Sequence, residues 1–240
     1  MSSRSANMNL SGAHNTIGVI IAAYESAKTL ETVLSKVLKH LPAESIWVID
    51  DGSQDRTSQI ARSCGVHTIR HETNCGKGAA LKSGYAAVIK ANLEAVVTLD
   101  SDGQHDPALI PDFIAQYERG QADMIIGKRK FNIISMPLDR ILSNVISSFI
   151  VSCYVRKWIP DSQCGYRLIS ANLLKSVSLK TNHFDTEVEI IISAIRKRFR
   201  IESQPISVIY QDEHSHIHRF ADIVRFIKLL VTLCCHREGV

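Results

Sequence analysis

The chain has 240 residues, 45% of them hydrophobic, which is enough to bury a substantial core in one α/β domain. Its 28 Lys and Arg residues against 24 Asp and Glu residues give a formal net charge of +4, an excess too small and too scattered to indicate nucleic-acid binding. Six cysteines without C-x-x-C spacing, in a sequence without a signal peptide, argue against a zinc site and favour reduced thiols in the cytosol.

No apolar stretch reaches the length of about 20 residues that crosses a bilayer. The two longest, 141–155 and 226–235, are interrupted by polar residues or are too short, so we predict no transmembrane anchor. Residues 1–16 are rich in Ser, Asn, Gly and Ala without periodicity, which predicts a disordered leader. A single domain over 17–233 and a short tail over 234–240 are expected to follow.

The first predicted strand ends in an aromatic residue and an acid. Ile17–Ala23 is a continuous apolar run typical of a buried strand, and Tyr24 and Glu25 follow it. A phenol at that position can stack on a nucleobase and a carboxylate can accept from a ribose or base, with an ordinary turn as the alternative. Apolar residues then repeat at helical spacing over 30–41, and Pro42 ends that helix.

The second predicted strand, 45–49, also ends in acids. Either Asp50 or Asp51 is placed to bind a nucleobase or ribose, whereas Asp55 is expected to cap a helix over 56–63. Strand–helix pairs of this length make sequential strands parallel, with right-handed crossovers. The carboxyl ends of these strands should therefore converge in space.

A glycine-rich turn follows the third predicted strand, 66–70. The turn Gly76-Lys77-Gly78 before a helix over 79–91 resembles a phosphate cradle, but it lacks the spacing of a P-loop, which excludes a P-loop kinase or ATPase. Lys77 either points toward a diphosphate or is a solvated lysine at a helix start.

The fourth predicted strand, 95–99, stops abruptly in the carboxylates of Asp100 and Asp102. Two carboxylates at this spacing repel each other unless a cation lies between them, and hard oxygen ligands favour Mg²⁺ or Mn²⁺. The alternative is a plain loop in which Asp106 caps a helix that starts at Pro107, and both can hold at once.

Four ordered motifs resemble the family 2 glycosyltransferases of GT-A fold, especially the dolichol-phosphate mannosyltransferase-like branch that glycosylates polyprenyl phosphates. They are VIIAAYES, VIDDGSQDRT, NCGKGAALKSG and LDSDGQHDP. The resemblance extends through 127–129, 161–167 and 184–187, and covers roughly residues 17–230. It implies an α/β fold of the nucleotide-diphospho-sugar transferase type, with a Rossmann-like mixed sheet flanked by helices.

The resemblance also implies donor-binding residues. Asp100, Asp102 and Gln104 look like the triplet that holds Mg²⁺ or Mn²⁺ against the donor diphosphate, where the ion neutralises the charge of the leaving group. The loop with His216 and Arg219 corresponds to one in which relatives clamp the diphosphate with basic side chains. Lys77 is added to the donor-binding residues because of its place in the glycine-rich turn. The full set assigned to the nucleotide-sugar is Ala23, Tyr24, Glu25, Asp51, Lys77, Asp100, His216 and Arg219. The chain departs from the family at Ala22-Ala23, where proline usually precedes the aromatic residue.

On the acceptor side the resemblance implies a phosphate-binding group of residues after a fifth strand over 123–127. Arg129 would face the acceptor phosphate together with Arg140 and Ser143. Arginine suits this role because its guanidinium binds two phosphate oxygens at once. A solvated helix position is the equal alternative for Arg140.

Residues 141–155 predict a largely apolar helix, which is either core or the border of a groove for a polyprenyl chain. In the second case the tail 226–235 would rest on the membrane surface. The basic run 196–200 is typical of a solvated helix C-terminus, with binding to anionic lipid headgroups as the alternative. Arg167 is either structural or phosphate-facing.

One acid separates two classes of acceptor. Asp185 is expected to cap a helix over 186–199, and Glu187 follows it. In hydroxyl-accepting relatives an acid in this region is the general base, whereas an acceptor phosphate is already an anion and needs none. A strand over 204–210 and a helix over 221–233 are expected to close the fold.

We therefore predict a metal-dependent inverting glycosyltransferase that moves a sugar from a GDP- or UDP-linked donor to a polyprenyl phosphate, as a peripheral enzyme at the cytosolic face of a membrane. Its catalytic residues would be Asp102, Arg129 and Glu187, with a homo-oligomer or a membrane partner subunit as possible assemblies. The alternatives are a transferase to a carbohydrate or protein hydroxyl, and a nucleotide-sugar-binding subunit without turnover. A nucleotidyltransferase is disfavoured, because no glycine-rich loop with a catalytic Arg or Lys follows the first strand.

Overall fold

The computed structural model describes residues 16–120, 122–129, 138–183 and 185–207, with the backbone alone over 138–143. The strands are β1 (Ile17–Ala23), β2 (Ile46–Asp50), β3 (His67–Arg70), β4 (Ala95–Asp100), β5 (Met124–Arg129), β6 (Arg167–Ser170) and β7 (Ile201–Ile206). The α-helices are α1 (Leu30–Val37), α2 (Thr57–Ser63), α3 (Lys77–Lys90), α4 (Ile110–Glu118), α5 (Leu138–Val155), α6 (Ala171–Ser176) and α7 (Thr186–Arg196).

All seven strands join one mixed sheet in the order β3-β2-β1-β4-β6-β5-β7. The pairs β1–β2, β1–β4, β2–β3 and β5–β7 are parallel, and β6 runs antiparallel to both of its neighbours, β4 and β5. In register, Ala22 lies opposite Asp100 and Ala23 lies opposite Asp50. The predicted convergence of the strand ends is therefore confirmed, as is the mixed Rossmann-like sheet.

The apolar runs form the centre of the sheet because helices cover both of its faces. β2 is buried along its whole length, and β1 and β4 are buried at all but one residue each. α1 packs its apolar positions inward at helical spacing, and α3 crosses β1 with Gly84 against Ile20. The centre of the sheet thus belongs to the hydrophobic core, and its carboxyl edge carries the polar loops.

Several predicted boundaries are wrong by a few residues, for local reasons. The first helix ends at Val37 rather than 41, because the chain tightens into i→i+3 bonds such as His40 N to Val37 O before Pro42. α3 begins at Lys77 rather than Ala79, since Gly76 has a φ of 96° and its carbonyl accepts from Ala79 and Ala80.

The later boundaries shift as well. The helix predicted from Pro107 opens as a 3-10 turn before α4, and the one predicted over 186–199 ends at Arg196. β6 was not predicted, because a four-residue strand that begins with an arginine carries no apolar pattern. The last strand occupies 201–206, earlier than predicted.

The remaining predictions for the chain ends and for the closing helix over 221–233 lie outside the described residues. Among the helices that the structure describes, none has the length and hydropathy needed to cross a bilayer.

Candidate active site at the carboxyl edge of the sheet

The end of β2 is held by its own hydrogen bonds. Asp50 is fully buried, and its Oδ1 accepts from the Ser53 amide at 2.9 Å while its Oδ2 accepts from the Ser58 hydroxyl. Arg70 Nε lies 3.9 Å from the same carboxylate. Asp50 therefore fixes the loop that joins β2 to α2.

Asp51, predicted to bind the nucleotide, holds the neighbouring turn. Its Oδ1 lies 2.6 Å from His71 Nδ1 and accepts from the Cys75 amide at 3.0 Å, and its Oδ2 accepts from the Gly76 amide at 2.7 Å. His71 Nε2 in turn lies 2.9 Å from the Ser83 hydroxyl on α3. Asp51 thus fixes the glycine-rich turn at the start of α3 from below.

The ligand atoms of Asp51, His71 and Cys75 lie within 4.8 Å of one another, a spacing that a metal ion could use. Both Asp51 oxygens already accept hydrogen bonds, and the Cys75 thiol donates to the Thr73 carbonyl at 3.3 Å. The cluster is therefore satisfied as a hydrogen-bonded network of the protein itself.

The loop after β1 brings the predicted nucleotide residues beside this network. Ala23 is buried at the strand end, and the Tyr24 side chain is 42% exposed at the sheet edge. Glu25 takes a left-handed φ of 50°, accepts from the Gln54 amide at 2.7 Å through Oε1 and donates its own amide to Ser53 Oγ at 3.0 Å. The β1 and β2 loops thus form one surface, with an aromatic ring at its rim.

A second link joins the β1 loop to the end of β4. The Ser26 and Ser101 hydroxyls lie 2.7 Å apart, and the Thr29 hydroxyl donates to the Ser101 carbonyl at 2.7 Å. Ser101 stands between the two predicted metal ligands and is itself buried. The backbone of the D-x-D motif is therefore fixed against β1.

At the end of β4, one lysine bridges two acids. Lys77 Nζ lies 2.6 Å from Asp100 Oδ1 and 2.9 Å from Glu187 Oε1. Burial alone would lower the pKa of Lys77, but the two carboxylates outweigh it and raise the pKa above its usual value. Burial likewise opposes ionisation of Asp100, yet the ammonium holds the pKa of that carboxyl below its usual range. Lys77 and Asp100 are therefore both charged at neutral pH.

Asp102 and Gln104 lie in the loop that follows. Asp102 Oδ1 accepts from the Gln104 amide at 2.9 Å, and both residues are partly exposed. The donor set of Asp100, Asp102 and Gln104 consists of oxygens, as Mg²⁺ and Mn²⁺ require.

His105 is a site residue that the sequence analysis missed. It is 6% exposed, and its Nδ1 lies 3.9 Å from Asp100 Oδ2 without a hydrogen-bond partner in the described part of the chain. Burial lowers the pKa of His105 to about 4 despite the nearby Asp100 carboxylate, so the ring is neutral. The sequence signal that could have identified His105 is its position directly after the predicted metal ligand Gln104. A buried, unpartnered nitrogen beside these carboxylates fits a site that takes a cation.

Glycines allow the close approaches in this region. A Cβ at Gly165 would lie 2.7 Å from Asp100 Oδ2 and 2.9 Å from Lys77 Nζ. A Cβ at Gly78 would overlap Thr186 Oγ1 at the start of α7. The glycines of the turn that resembles a phosphate cradle therefore have a packing explanation, since the turn lies directly against Asn182, His183 and Thr186.

The predicted acceptor-phosphate arginine is held in place by an acid. Arg129, at the end of β5, pairs with Asp161 through both Nε at 2.6 Å and Nη2 at 2.8 Å, and Asp161 is 1% exposed. Arg167 is structural: it is 2% exposed and donates to the carbonyls of Ser162, Cys164 and Glu187. It thereby joins the 161–165 loop to α7.

Three predicted caps have different outcomes. Asp106 accepts from the Ala108 amide at 3.0 Å, as expected, and Asp55 accepts from the Thr57 amide at 2.9 Å, one residue outside the cap position of α2. The prediction for Asp185 is wrong: it occupies the cap position of α7 in helical conformation, where its carboxylate accepts from the preceding His183 amide instead.

Four predicted ligand residues have no described side chain. Arg140 and Ser143 lie in the first two turns of α5, where the structure describes the backbone alone. His216 and Arg219 lie outside the described residues. Their roles stay predictions from the sequence.

The fold and the acidic edge of its sheet define a glycosyltransferase of the GT-A class. The chain belongs to glycosyl transferase family 2, whose model matches residues 18–178, and to its dolichol-phosphate mannosyltransferase-like branch.

Relatives of the chain support this branch. It is 32% identical over 222 residues to an uncharacterized protein of Methanocaldococcus jannaschii, covering 90% of both chains. It is 29% identical to the UDP-N-acetylglucosamine–dolichyl-phosphate N-acetylglucosaminyltransferase of Methanococcus voltae, covering 83% of this chain and 88% of the relative. The undecaprenyl-phosphate mannosyltransferase of Micrococcus luteus is 24% identical, with 80% and 83% coverage.

Among solved structures, the fold is similar to Mycobacterium tuberculosis glucosyl-3-phosphoglycerate synthase, with a TM-score of 0.76 at 20% identity, over 93% of this chain and 82% of that one. That enzyme has also been solved in complex with Mn²⁺, uridine diphosphate and glucosyl-3-phosphoglycerate; there the TM-score is 0.71 at 18% identity, over 94% and 80% of the two chains. At this identity the likeness establishes the fold.

Proposed function

We propose that the chain is an inverting transferase that moves a sugar from a nucleotide-diphosphate sugar to a polyprenyl phosphate, as a peripheral enzyme at the cytosolic face of a membrane. The observation that carries the choice of acceptor is the ion pair between Glu187 and Lys77, 2.9 Å apart. Glu187 and Asp185 are the acids that a hydroxyl acceptor could use as a general base. Glu187 is 5% exposed and already balanced by a cation, and the Asp185 carboxylate accepts from the His183 amide.

The other buried acids near the proposed acceptor site also have partners, either a cation or backbone amides. Asp161 is committed to Arg129. Glu189 accepts from the amides of Lys180 and Thr181 at 2.9 to 3.0 Å. Within the described residues, each acid near the acceptor end thus has a partner of its own. An acceptor that arrives as an anion needs no base, and the named relatives with lipid-phosphate substrates support that chemistry.

On the donor side, Tyr24 offers an aromatic surface to a nucleobase, and Glu25 offers a carboxylate beside it. Asp51 shapes the pocket by fixing the turn before Lys77. Asp100, Asp102 and Gln104 would hold Mg²⁺ or Mn²⁺, which would neutralise charge on the diphosphate. His216 and Arg219 are proposed to contact the same diphosphate.

Lys77 and Glu187 act on the reaction through Asp100. The ammonium fixes the orientation of the Asp100 carboxylate, and Glu187 fixes the ammonium from the other side. Arg129, held by Asp161, is proposed to bind the acceptor phosphate with Arg140 and Ser143. A phosphate oxygen then attacks the anomeric carbon and forms a new C–O bond, while the bond to the diphosphate breaks and its electron pair leaves with the nucleoside diphosphate.

The test is transfer of labelled sugar from a panel of UDP- and GDP-sugars to polyprenyl phosphate, extracted into butanol, with Mn²⁺ or EDTA. We expect label in the organic phase that EDTA removes. Parallel reactions offer a polyprenol without phosphate and a set of free sugars. Transfer to the free sugars with none to the lipid phosphate would overturn the acceptor assignment. No transfer from any donor would favour a binding subunit without turnover.

A further inference from the structure

Helix α5 has its polar side inward and its apolar side outward. Over 144–155, where side chains are described, the buried positions are three serines and one valine: Ser147, Ser148, Val151 and Ser152. The exposed positions alternate with them at helical spacing and consist of Cys153 and four apolar residues: Val145 at 46%, Ile146 at 47%, Phe149 at 58% and Ile150 at 37% exposure. We call these four residues the α5 face. This is the reverse of the pattern of a helix on a protein surface in water.

The inward orientation is fixed by hydrogen bonds. Ser148 Oγ accepts from the Ser162 amide and Ser152 Oγ accepts from the Ile159 amide, both at 2.9 Å. Gln163 Nε2 donates to Ser147 Oγ at 3.1 Å. Turning the helix about its axis would break all three bonds, so the α5 face is committed to the outside.

The same hydrogen bonds connect the α5 face to the candidate acceptor site. The serines hold the 159–163 segment, and Asp161 in that segment positions Arg129. The α5 face therefore lies about one helix diameter, roughly 10 Å, behind the loop that supports the acceptor-binding arginine.

Positive charge borders the α5 face at its C-terminal end. Trp158 is 68% exposed just beyond the helix, next to the exposed Arg156 and Lys157. Lys157 donates to the Ile201 carbonyl at 3.2 Å, and Arg196 donates to the Tyr154 hydroxyl, so the end of α7 lies against the end of α5. We call the exposed basic residues there the basic rim: Arg156, Lys157, Arg196, Lys197 and Arg198.

We propose that the α5 face and the basic rim dock on an anionic membrane surface, with Phe149 and Trp158 in the headgroup layer. The proposal rests on the proposed function and names where the enzyme meets its lipid acceptor. An apolar helix face beside a cluster of Lys and Arg, with an exposed tryptophan next to the basic residues, is the composition that lies flat in a membrane interface.

The charges favour a membrane over a second copy of the chain. A two-fold contact through the α5 face offers the basic rim no acidic partner from the α5 face of the second copy, because the four residues of that face carry no charge. An anionic lipid surface instead attracts the whole basic rim at once, by about fivefold in partition coefficient for each basic residue.

The experiment is cosedimentation of the full-length protein with vesicles of phosphatidylcholine alone or mixed with phosphatidylglycerol. We expect binding that increases strongly with phosphatidylglycerol. The double variant Arg156→Gln/Lys157→Gln should weaken it about 25-fold. Its matched control is Lys39→Gln/Arg62→Gln, which removes the same charge from exposed positions beside α1 and in α2 and should leave binding unchanged.

A second pair of substitutions tests the apolar part. Phe149→Ser/Trp158→Ser should lower binding to both kinds of vesicle at least tenfold while the thermal midpoint changes little, because both side chains are exposed. Unchanged vesicle binding of this variant would overturn the proposal. Two other outcomes would also overturn it. If the wild type forms a dimer that the variant loses, the α5 face contacts a second copy. If the wild type does not bind vesicles and the variant has a much lower thermal midpoint, the α5 face packs against another part of this chain.

Activity separates this proposal from the proposed function. With a short-chain prenyl phosphate free in solution, Phe149→Ser/Trp158→Ser should turn over like the wild type, and with long-chain acceptor in vesicles it should lose about tenfold. Vesicle binding without transfer to any prenyl phosphate would leave the docking surface intact and overturn the proposed acceptor. Transfer with no vesicle binding would do the reverse.

Discussion

β2 and β4 both end in two acids, but the structure treats the two pairs differently. At the end of β2, Asp50 and Asp51 are 0% and 3% exposed and accept from backbone amides, a hydroxyl and a histidine. At the end of β4, Asp100 is balanced by a lysine side chain and Asp102 is partly exposed. A carboxylate saturated by backbone amides maintains the loop, whereas one held by a side-chain cation at an open edge keeps the capacity to bind a ligand as well.

The largest expected effect concerns the β4 pair. Asp102→Asn should lower sugar transfer by about 1,000-fold, because it removes a carboxylate that would hold the divalent cation against the leaving diphosphate, while the free energy of unfolding changes by less than about 0.5 kcal/mol. Initial rates and urea denaturation would check both parts. Asp106→Asn, a neighbouring acid that caps a turn, serves as the control and should keep near-normal rates. Full activity of the Asp102 variant would mean that the two strand ends do not differ in function.

The β2 pair should respond in the opposite way. Asp50→Ala leaves the Ser53 amide and the Ser58 hydroxyl without their buried acceptor, which should cost about 3 kcal/mol of unfolding free energy, or about 150-fold in the folding constant. Urea denaturation followed by circular dichroism measures this loss. Ser58→Ala removes only one donor and should cost less than half as much. A stable Asp50→Ala protein that has lost activity alone would place Asp50 among the ligand-binding acids.

The acids at the strand ends could be located from the sequence, but which of them maintain a loop and which are available to a ligand could not. The apolar runs that end in acids predicted parallel strands and the edge of the sheet where the candidate site lies, since both follow from burial and chain connectivity. Which acid accepts from which amide depends on the loop conformation, and neighbours such as His71 and Ser58 gave no periodic signal. The bridge from Lys77 to Glu187 spans 110 positions, so it appears only after α7 packs on the turn before α3. β6 was not predicted for a related reason: its antiparallel position between β4 and β5 depends on tertiary pairing with those strands.

A smaller effect tests the far side of the lysine bridge. Glu187→Gln should lower transfer to polyprenyl phosphate about tenfold, because Lys77 loses one of its two carboxylates and holds Asp100 less firmly. Since no proton leaves the acceptor through Glu187 in this mechanism, the shape of the pH–rate profile should not change. A loss of 1,000-fold or more, together with a lost ionisation in the profile, would identify Glu187 as a general base and move the acceptor to a hydroxyl.

The smallest effect concerns thiol labelling beside the β2 pair. Cys75 and Cys153 are exposed, whereas Cys164 is 1% exposed and burial raises its pKa to about 12, so it should not react in the native protein. Cys75 directly precedes the glycine-rich turn that Asp51 fixes, at the edge of the proposed nucleotide pocket. Nucleoside diphosphate should therefore slow alkylation of Cys75 several-fold and leave Cys153, on α5, unchanged, as mass spectrometry of the labelled peptides would measure. Equal alkylation rates of Cys75 with and without nucleotide would place the donor away from this turn. Asp50 and Asp51 at the end of β2 would then support the fold only and would not border the donor site.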